Sequence, residues 1–258
     1  MGVGSIAYNR HLRILEKLKD QCTVRVDELS ELLNVSQVTI RRDLDYLNAK
    51  GFLTRTHGGA SPLKTKDVIH PESGFREKDV SYTQEKQRIA QKCVELISDD
   101  EIIFINSGST VLFFLQALQN KHVKVITNNA AVIDKKLDPR LEVMILGGEY
   151  RAQSRSFVGE FANNALRNIY SSHTVLGTNG VSLERGLTTT VYQECSINQL
   201  MIQNTHGKVI VLADHTKMGT ISNFVSADLS KIDILVTDGC SDEMREGLER
   251  RGVQVILA

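Results

Sequence analysis

The chain has 258 residues, 41% hydrophobic and 24% charged, an ordinary composition for a soluble globular protein of one large or two smaller domains. Its 31 basic and 31 acidic residues cancel, which excludes a protein that coats nucleic acid by bulk charge. Cys22, Cys93, Cys195 and Cys240 stand far apart with no metal-ligand or C-x-x-C spacing, so reduced thiols and no metal are expected. Neither a charged-then-apolar leader nor an apolar run of about eighteen residues occurs, and a cytoplasmic location without membrane insertion is expected.

From the N-terminus, Leu12, Ile14, Leu15 and Leu18 predict a first helix over 8–19. A short second helix is predicted over 26–33 from Leu29, Leu32 and Leu33, with Asn34 as the turn residue behind it. Ser36 is a suitable N-cap for a third helix, whose Ile40, Leu44 and Leu47 recur on one face. That face turned inward leaves Val38, Arg42 and Asp45 outward, flanked by Thr39 and Arg41. Three short helices with a tight turn before the last form a helix-turn-helix, and Arg, Val and Thr suit a DNA major groove. Arg reads guanine or grips phosphate, while Val and the Thr methyl can touch a thymine methyl. A solvated charged face on an ordinary helix is the plain alternative.

After Gly51, the alternation of Phe52 to His57 ending in Gly58-Gly59 predicts a two-stranded wing, with Arg55 and His57 reaching the DNA backbone. The candidate DNA-contacting residues are therefore Ser36, Gln37, Val38, Thr39, Arg41, Arg42, Arg55 and His57. Residues 1–60 hold nine Lys or Arg against seven Asp or Glu, which fits a local contact face doubled by oligomerisation. Residues 61–80, with Pro62 and Pro71, read as a linker to a second domain over 81–258.

In that second domain helices and strands alternate. An amphipathic helix is predicted over 85–97, a strand over 101–105, a helix over 111–118 and a strand over 123–127. A helix ending at Leu137 and a strand over 141–146 follow, with later strands over 173–176, 208–213, 232–237 and 253–257. Apolar β-branched runs bounded by turn residues imply an α/β fold, a mostly parallel sheet with helices on its faces. Ligands of such sheets bind outside the carboxyl ends of the strands, where this chain is polar and glycine-rich. Ser107, Gly108, Ser109 and Thr110 run from strand into helix, where backbone amides, hydroxyls and the helix dipole suit a phosphate. Further clusters are Gly177 to Gly180, Gly186 to Thr190 with Glu194, and Ala213 to Lys217. Arg151 and Arg155 are additional candidate cations.

The run VDELSELLNVSQVTIRRDLDYLNAKGFLTRTHGGA resembles the N-terminal signature of the DeoR family of bacterial transcriptional regulators. The resemblance implies that Thr39, Arg41 and Arg42 read DNA. INSGST, VITNN, ILGGEY, SFVGEFA, LGTNGV, GLTTTVYQE, VLADHTKMG and IDILVTD resemble, in order, the sensor half of the same family. That resemblance implies a fold related to ribose-5-phosphate isomerase and the CoA transferases, binding a phosphorylated sugar. It implies phosphate at Ser107 to Thr110 and sugar contacts from Asn128, Gly148, Asn179, Glu194, Asp214 and Lys217, without a cofactor.

Two positions depart from the pattern, because many relatives place Asp where Asn106 and Asn179 stand. The related isomerases carry Asp-Gly-Ala-Asp where this chain has Thr178-Asn179-Gly180, and an amide cannot serve as a general base. A repressor of sugar-use genes, binding double-stranded operator DNA as a dimer or tetramer, is therefore expected rather than an enzyme. An isomerase-like activity and a purely structural oligomerisation domain are the two alternatives.

Overall fold

The computed structural model describes residues 3–21, 23–49, 52–62, 75 and 80–258. Most of the expected linker, together with Cys22, Lys50 and Gly51, lies outside the described residues.

The leucine and isoleucine stripes of the first fifty residues close on one another. Helices α1 (Val3–Asp20), α2 (Val26–Leu33) and α3 (Gln37–Ala49) bury Ile14, Leu15, Leu18, Leu29, Ile40, Leu44 and Leu47 together. Leu32, counted with the apolar set of the second helix, instead lies 49% exposed. Asn34 takes the left-handed conformation at φ 51° and ends α2. The Ser36 hydroxyl accepts from the Thr39 amide at 3.2 Å and starts α3.

The wing is β2 (Thr54–Thr56) paired antiparallel with β3 (Gly59–Ser61). A two-residue strand β1 (Val24–Arg25), too short for periodicity to reveal, adds to the free side of β3. This close approach explains Gly59: a Cβ there would lie 2.0 Å from the Val24 carbonyl oxygen.

One charged side chain, invisible to an apolar stripe, lies on the inward face of α3. Asp43 is 6% exposed and accepts from Arg10 Nη2 at 2.9 Å, with His11 Nε2 at 3.0 Å. His11 in turn stacks on Tyr46, 5.0 Å between ring centres. The third helix is therefore fastened to the first by a charge cluster as well as by leucines.

The second domain is built on seven parallel strands. They are β4 (Glu101–Ile105), β5 (Val123–Thr127), β6 (Leu141–Ile145), β9 (His173–Gly177), β12 (Val209–Leu212), β14 (Ile234–Thr237) and β15 (Gln254–Leu257). Their order is β15-β14-β12-β9-β4-β5-β6. Alternate residues feed two cores. Ile103, Ile105, Val125, Val175 and Leu212 meet α4 (Thr83–Val94) and α5 (Ser109–Ala117). Phe104, Ile126, Leu176 and Val211 meet α6 (Glu160–Leu166), α7 (Tyr192–Gln203) and α8 (Asp242–Glu249). Burial on both faces is why the inner strands β12 and β14 read as almost unbroken apolar runs.

The helix expected to end at Leu137 is only a 3-10 turn, Ala130–Asp134, started by the Asn129 side chain accepting from the Ala131 amide. Two small antiparallel elements are additional. A hairpin pairs β7 (Glu149–Arg151) with β8 (Ser156–Val158), and a three-stranded sheet joins β10 (Gly180–Ser182), β11 (Gly186–Thr189) and β13 (Phe224–Ala227).

The head rests on the α/β domain through one aromatic cluster. Phe52, just beyond α3, meets Tyr192 edge-on at 4.7 Å and Phe224 at 6.1 Å between ring centres. Tyr192, Cys195 and Phe224 are buried in the same core as Leu44 and Leu47. Among the described residues no helix is long and apolar enough to cross a membrane.

Burial raises the Asp43 carboxyl, but hydrogen bonds from His11 and Arg10 outweigh it and hold the group below the usual carboxylate range. A lowered folded value stabilises the protein above the unfolded pKa, about 3.9, and the stabilisation is lost as pH falls through the folded value. Asp43→Asn should therefore cost up to about 3 kcal/mol near pH 7, since the Arg10 end stays partly open to water. Urea unfolding of both proteins should show this gap closing below about pH 4; a gap independent of pH would remove the ion cluster from the account.

Candidate functional site

The outer face of α3 matches its sequence pattern. Gln37, Val38, Arg41 and Arg42 are exposed, Thr39 is half-buried, and the Val38 side chain is 56% exposed despite being apolar. Arg41 Nη2 donates to Gln37 Oε1 at 3.2 Å, one helical turn back. Arg42 also lines a cleft between the head and the α/β domain, opposite Glu160 and Arg167. The wing carries His57 exposed at its turn. Arg55 is held within the head instead: its Nε donates to Asp45 at 2.9 Å and its Nη1 to the Gly59 carbonyl. Asp45 thus spends its charge on the wing, which ties β2 to α3.

The second site lies where the sheet order reverses, between β4 and β9, the crevice expected of such sheets. Asn106 ends β4 and bridges that crevice. Its Nδ2 donates to the Gly177 carbonyl at 2.9 Å and to Asn198 Oδ1 at 3.0 Å, and its Oδ1 accepts from the Gly177 amide at 2.8 Å. Above it opens a cavity lined by Ser107, Gly108, Ser109 and Thr110 at the start of α5, and by Asn179, Glu194, Asp214 and Lys217. Eight candidate residues from four separate stretches of chain are brought together there.

Each wall has its own support. Asn179 Oδ1 accepts from the Thr189 hydroxyl at 3.0 Å, and the same hydroxyl lies 3.3 Å from Glu194 Oε2. Glu194 Oε1 also accepts from Ser156 Oγ at 3.4 Å. Asp214, 1% exposed, caps the turn His215–Lys217 by accepting from the Thr216 amide at 3.0 Å, and lies 3.9 Å from Lys217 Nζ. Lys217 Nζ donates to Thr216 Oγ1 at 2.9 Å. The cavity therefore has amides, hydroxyls and lysine on some walls and carboxylates on others, a distribution for an anionic, hydroxyl-bearing ligand.

Three candidates do not line this cavity. Asn128 is buried and its Nδ2 donates to the Phe157 carbonyl at 3.0 Å, so it anchors β8. Gly148 stands at φ 131°, and a Cβ there would lie 2.4 Å from the Val158 carbonyl oxygen; it admits the hairpin. Arg151 sits on β7. Of the further cations, Arg155 pairs with Asp134 and lies over the Phe75 ring.

The cavity also holds Gly177, Thr178 and Thr189 from the glycine- and threonine-rich clusters and Asn106 at the end of β4, together with Phe75, Lys86, Ser154 and Asn198, which the sequence reading did not single out. Lys86 carried a readable signal, because Ile89, Ala90 and Cys93 place it on the buried stripe of α4. It is 3% exposed, and its Nζ donates to the Ser81 carbonyl at 2.6 Å. Asn198 follows Glu194 by one turn of α7 and shares its face.

The chemistry available favours binding. The carboxylates of Glu194 and Asp214 serve as acceptors for neighbouring donors, and an amide stands at Asn179. Burial pushes the thiols of Cys93 and Cys195 upward, away from the reactive thiolate. Among the described residues no group of three or more His, Cys, Asp or Glu could hold a metal ion.

A winged helix-turn-helix head joined to an α/β domain with a polar cavity at its switch point defines a two-domain DNA-binding regulator. Residues 10–66 match the DeoR-like helix-turn-helix domain and residues 81–239 match the DeoR C terminal sensor domain. The chain belongs to the DeoR family of transcriptional regulators. A putative aga operon transcriptional repressor from Escherichia coli O157:H7 is 34% identical, over 96% of this chain and 93% of that one. The regulator GlpR from Haloferax volcanii is 31% identical over 96% of each chain. A lactose phosphotransferase system repressor from Staphylococcus epidermidis is 32% identical over 94% of this chain and 96% of its own. Among solved structures, ribose 5-phosphate isomerase A from Methanocaldococcus jannaschii is a partial likeness, with a TM-score of 0.38, 16% identity and coverage of 54% of this chain and 55% of its own.

The Asn106 geometry makes a direct prediction. Asn106→Asp replaces a double donor with an acceptor facing the Gly177 carbonyl and should destabilise the fold by roughly 1–3 kcal/mol. Chemical unfolding at neutral pH measures it, and an equally stable variant would show that the bridge does not hold the crevice.

Proposed function

We propose that this protein is a repressor of genes for the use of a sugar or sugar derivative, and that a phosphorylated sugar in the switch-point cavity controls it. The observation that carries the reading is the convergence of Ser107 to Thr110 at the start of α5 with Lys217, Lys86, Asn179, Glu194 and Asp214 around one opening. First-turn amides and hydroxyls with two lysines suit phosphate, while amide and carboxylate acceptors suit sugar hydroxyls. The names of the aga operon and lactose phosphotransferase system relatives support control of sugar genes.

On the DNA side, Val38, Thr39, Arg41 and Arg42 read base edges, while Ser36, Gln37 and His57 touch backbone, each head taking one half-site of an oligomer. Arg55, already engaged with Asp45, acts chiefly by holding the wing against α3. The ligand must prefer one arrangement of the heads over another, since equal affinity for both would shift nothing.

A thermal-shift screen of sugar phosphates, each beside its unphosphorylated sugar, tests the cavity. At about a hundred times its dissociation constant a native-state ligand adds roughly 2.7 kcal/mol, and the effect should require the phosphate and vanish in Ser109→Glu. Stabilisation by the bare sugar alone, or retained in Ser109→Glu, would contradict the phosphate loop. Arg42→Ala should weaken binding to a duplex selected from a random pool by about 1–3 kcal/mol, with non-specific binding less affected. Unchanged selectivity would take Arg42 off the reading face.

A further inference from the structure

Helix α7 presents different faces to the two halves of the molecule. Glu194 and Asn198 line the cavity, while Tyr192 and Cys195 are buried in the core of the head. Ser196 and Gln199 line the cleft between the domains, opposite His11 and Arg42. The helix touches both sites without a linker between them.

A threonine hydroxyl holds the residue that starts α7. Thr189, 3% exposed and lining the cavity, accepts at Oγ1 from the amide of Val191, the residue that precedes the helix, at 3.4 Å. That hydroxyl has a single proton and two acceptors within reach, Asn179 Oδ1 at 3.0 Å and Glu194 Oε2 at 3.3 Å. A ligand group that occupies either acceptor leaves the proton to the other. Thr189 also stands directly opposite Phe224 in the pairing of β11 with β13. Both aromatic partners of Phe52 therefore hang on the same cavity residue, Tyr192 through the start of the helix and Phe224 across the sheet. Phe52 in turn donates its amide to the Leu47 carbonyl at 2.9 Å, in the last turns of α3.

We propose that Thr189, Tyr192 and Phe52 form the route by which occupancy of the cavity reorients the DNA-reading helix. The inference rests on the cavity being an effector site, and it names the device that makes such a site regulatory. Binding that redirects the Thr189 proton shifts the first turn of α7 and β13 together. Phe52, packed edge-on against both rings, transmits the shift to the end of α3. Tyr192 and Phe52 are positioning residues here, since neither lines the cavity.

Hydrogen exchange on the full chain tests the route in two arms. In the first, with no ligand, Thr189→Val removes the hydroxyl. The amides of Phe52 and Leu53 should change their exchange rate by about threefold or more, while those of β14 and β15 stay unchanged. Change confined to residues 179–198 would overturn the proposal. In the second, a sugar phosphate that raises the melting temperature is added to wild type and to Tyr192→Leu. Wild type should show a change at Phe52 of roughly fivefold or more, whereas Tyr192→Leu keeps the thermal shift and loses the change at Phe52. An equal change in both proteins would overturn it. If no sugar phosphate binds, the cavity reading fails, and the first arm alone decides the route.

Discussion

The Asn106 bridge is the constraint on which the working end of the α/β domain depends. At the switch point the chain leaves two neighbouring parallel strands toward opposite faces of the sheet, which opens a crevice between their ends. One amide closes the gap, donating to the Gly177 carbonyl and to Asn198 and accepting from the Gly177 amide. This fixes three elements at once: the turn that opens α5, the loop behind β9 that carries Asn179, and the face of α7 that carries Glu194. A carboxylate at Asn106 would be one more acceptor among acceptors, so the asparagine serves construction where a ligand-binding role would have been the simpler reading.

The head is joined to this domain with equal economy. Its core does not end at its own surface but continues into Tyr192 and Cys195, on the helix that lines the cavity, and Phe224, on the strand paired with Thr189. A head tethered only by its linker would report little of what happens in the cavity, because a flexible tether transmits no orientation. Here the contact is aromatic, edge-on and buried, a geometry that packed cores hold in discrete arrangements rather than in a continuum. Asp43 makes the head itself rigid enough to be moved as a body, with Arg10 and His11 clasping the back of α3.

The three head helices were legible in the sequence because each carries a regular apolar period against a covered face, and the seven sheet strands because each is a short apolar, β-branched run bounded by turn residues. Ile40, Leu44 and Leu47 announce α3 by spacing alone, and the both-sided burial of Val209 to Leu212 makes that strand an unbroken run. Much of what stayed hidden lacks such a signal. Helix α7 buries Tyr192, Cys195, Ile197, Asn198 and Met201 around much of its circumference, so no single stripe marks it. The three-residue strands β7, β8 and β10 are too short to show alternation. In the cavity, the residues that follow strand ends were readable from turn chemistry, as Ser107 to Thr110 and Asp214 to Lys217 show. Lys86 and Phe75 reach it from earlier segments; the stripe of α4 marks Lys86 as buried, but only tertiary structure places either residue at the cavity. Asn128 and Gly148 carry motif residues, but their surroundings make them supports of the β7–β8 hairpin.

The proposed control requires one thermodynamic link between cavity and head, and such a link is reciprocal. The decisive measurement is the affinity of the full chain for a selected DNA duplex, with and without a saturating sugar phosphate that stabilises the protein. The affinity of the sugar phosphate, with and without saturating DNA, completes the cycle. Both ratios should agree and differ from unity by roughly 5- to 150-fold, a coupling of about 1–3 kcal/mol. Two ligands that bind tightly, each indifferent to the other, would contradict it.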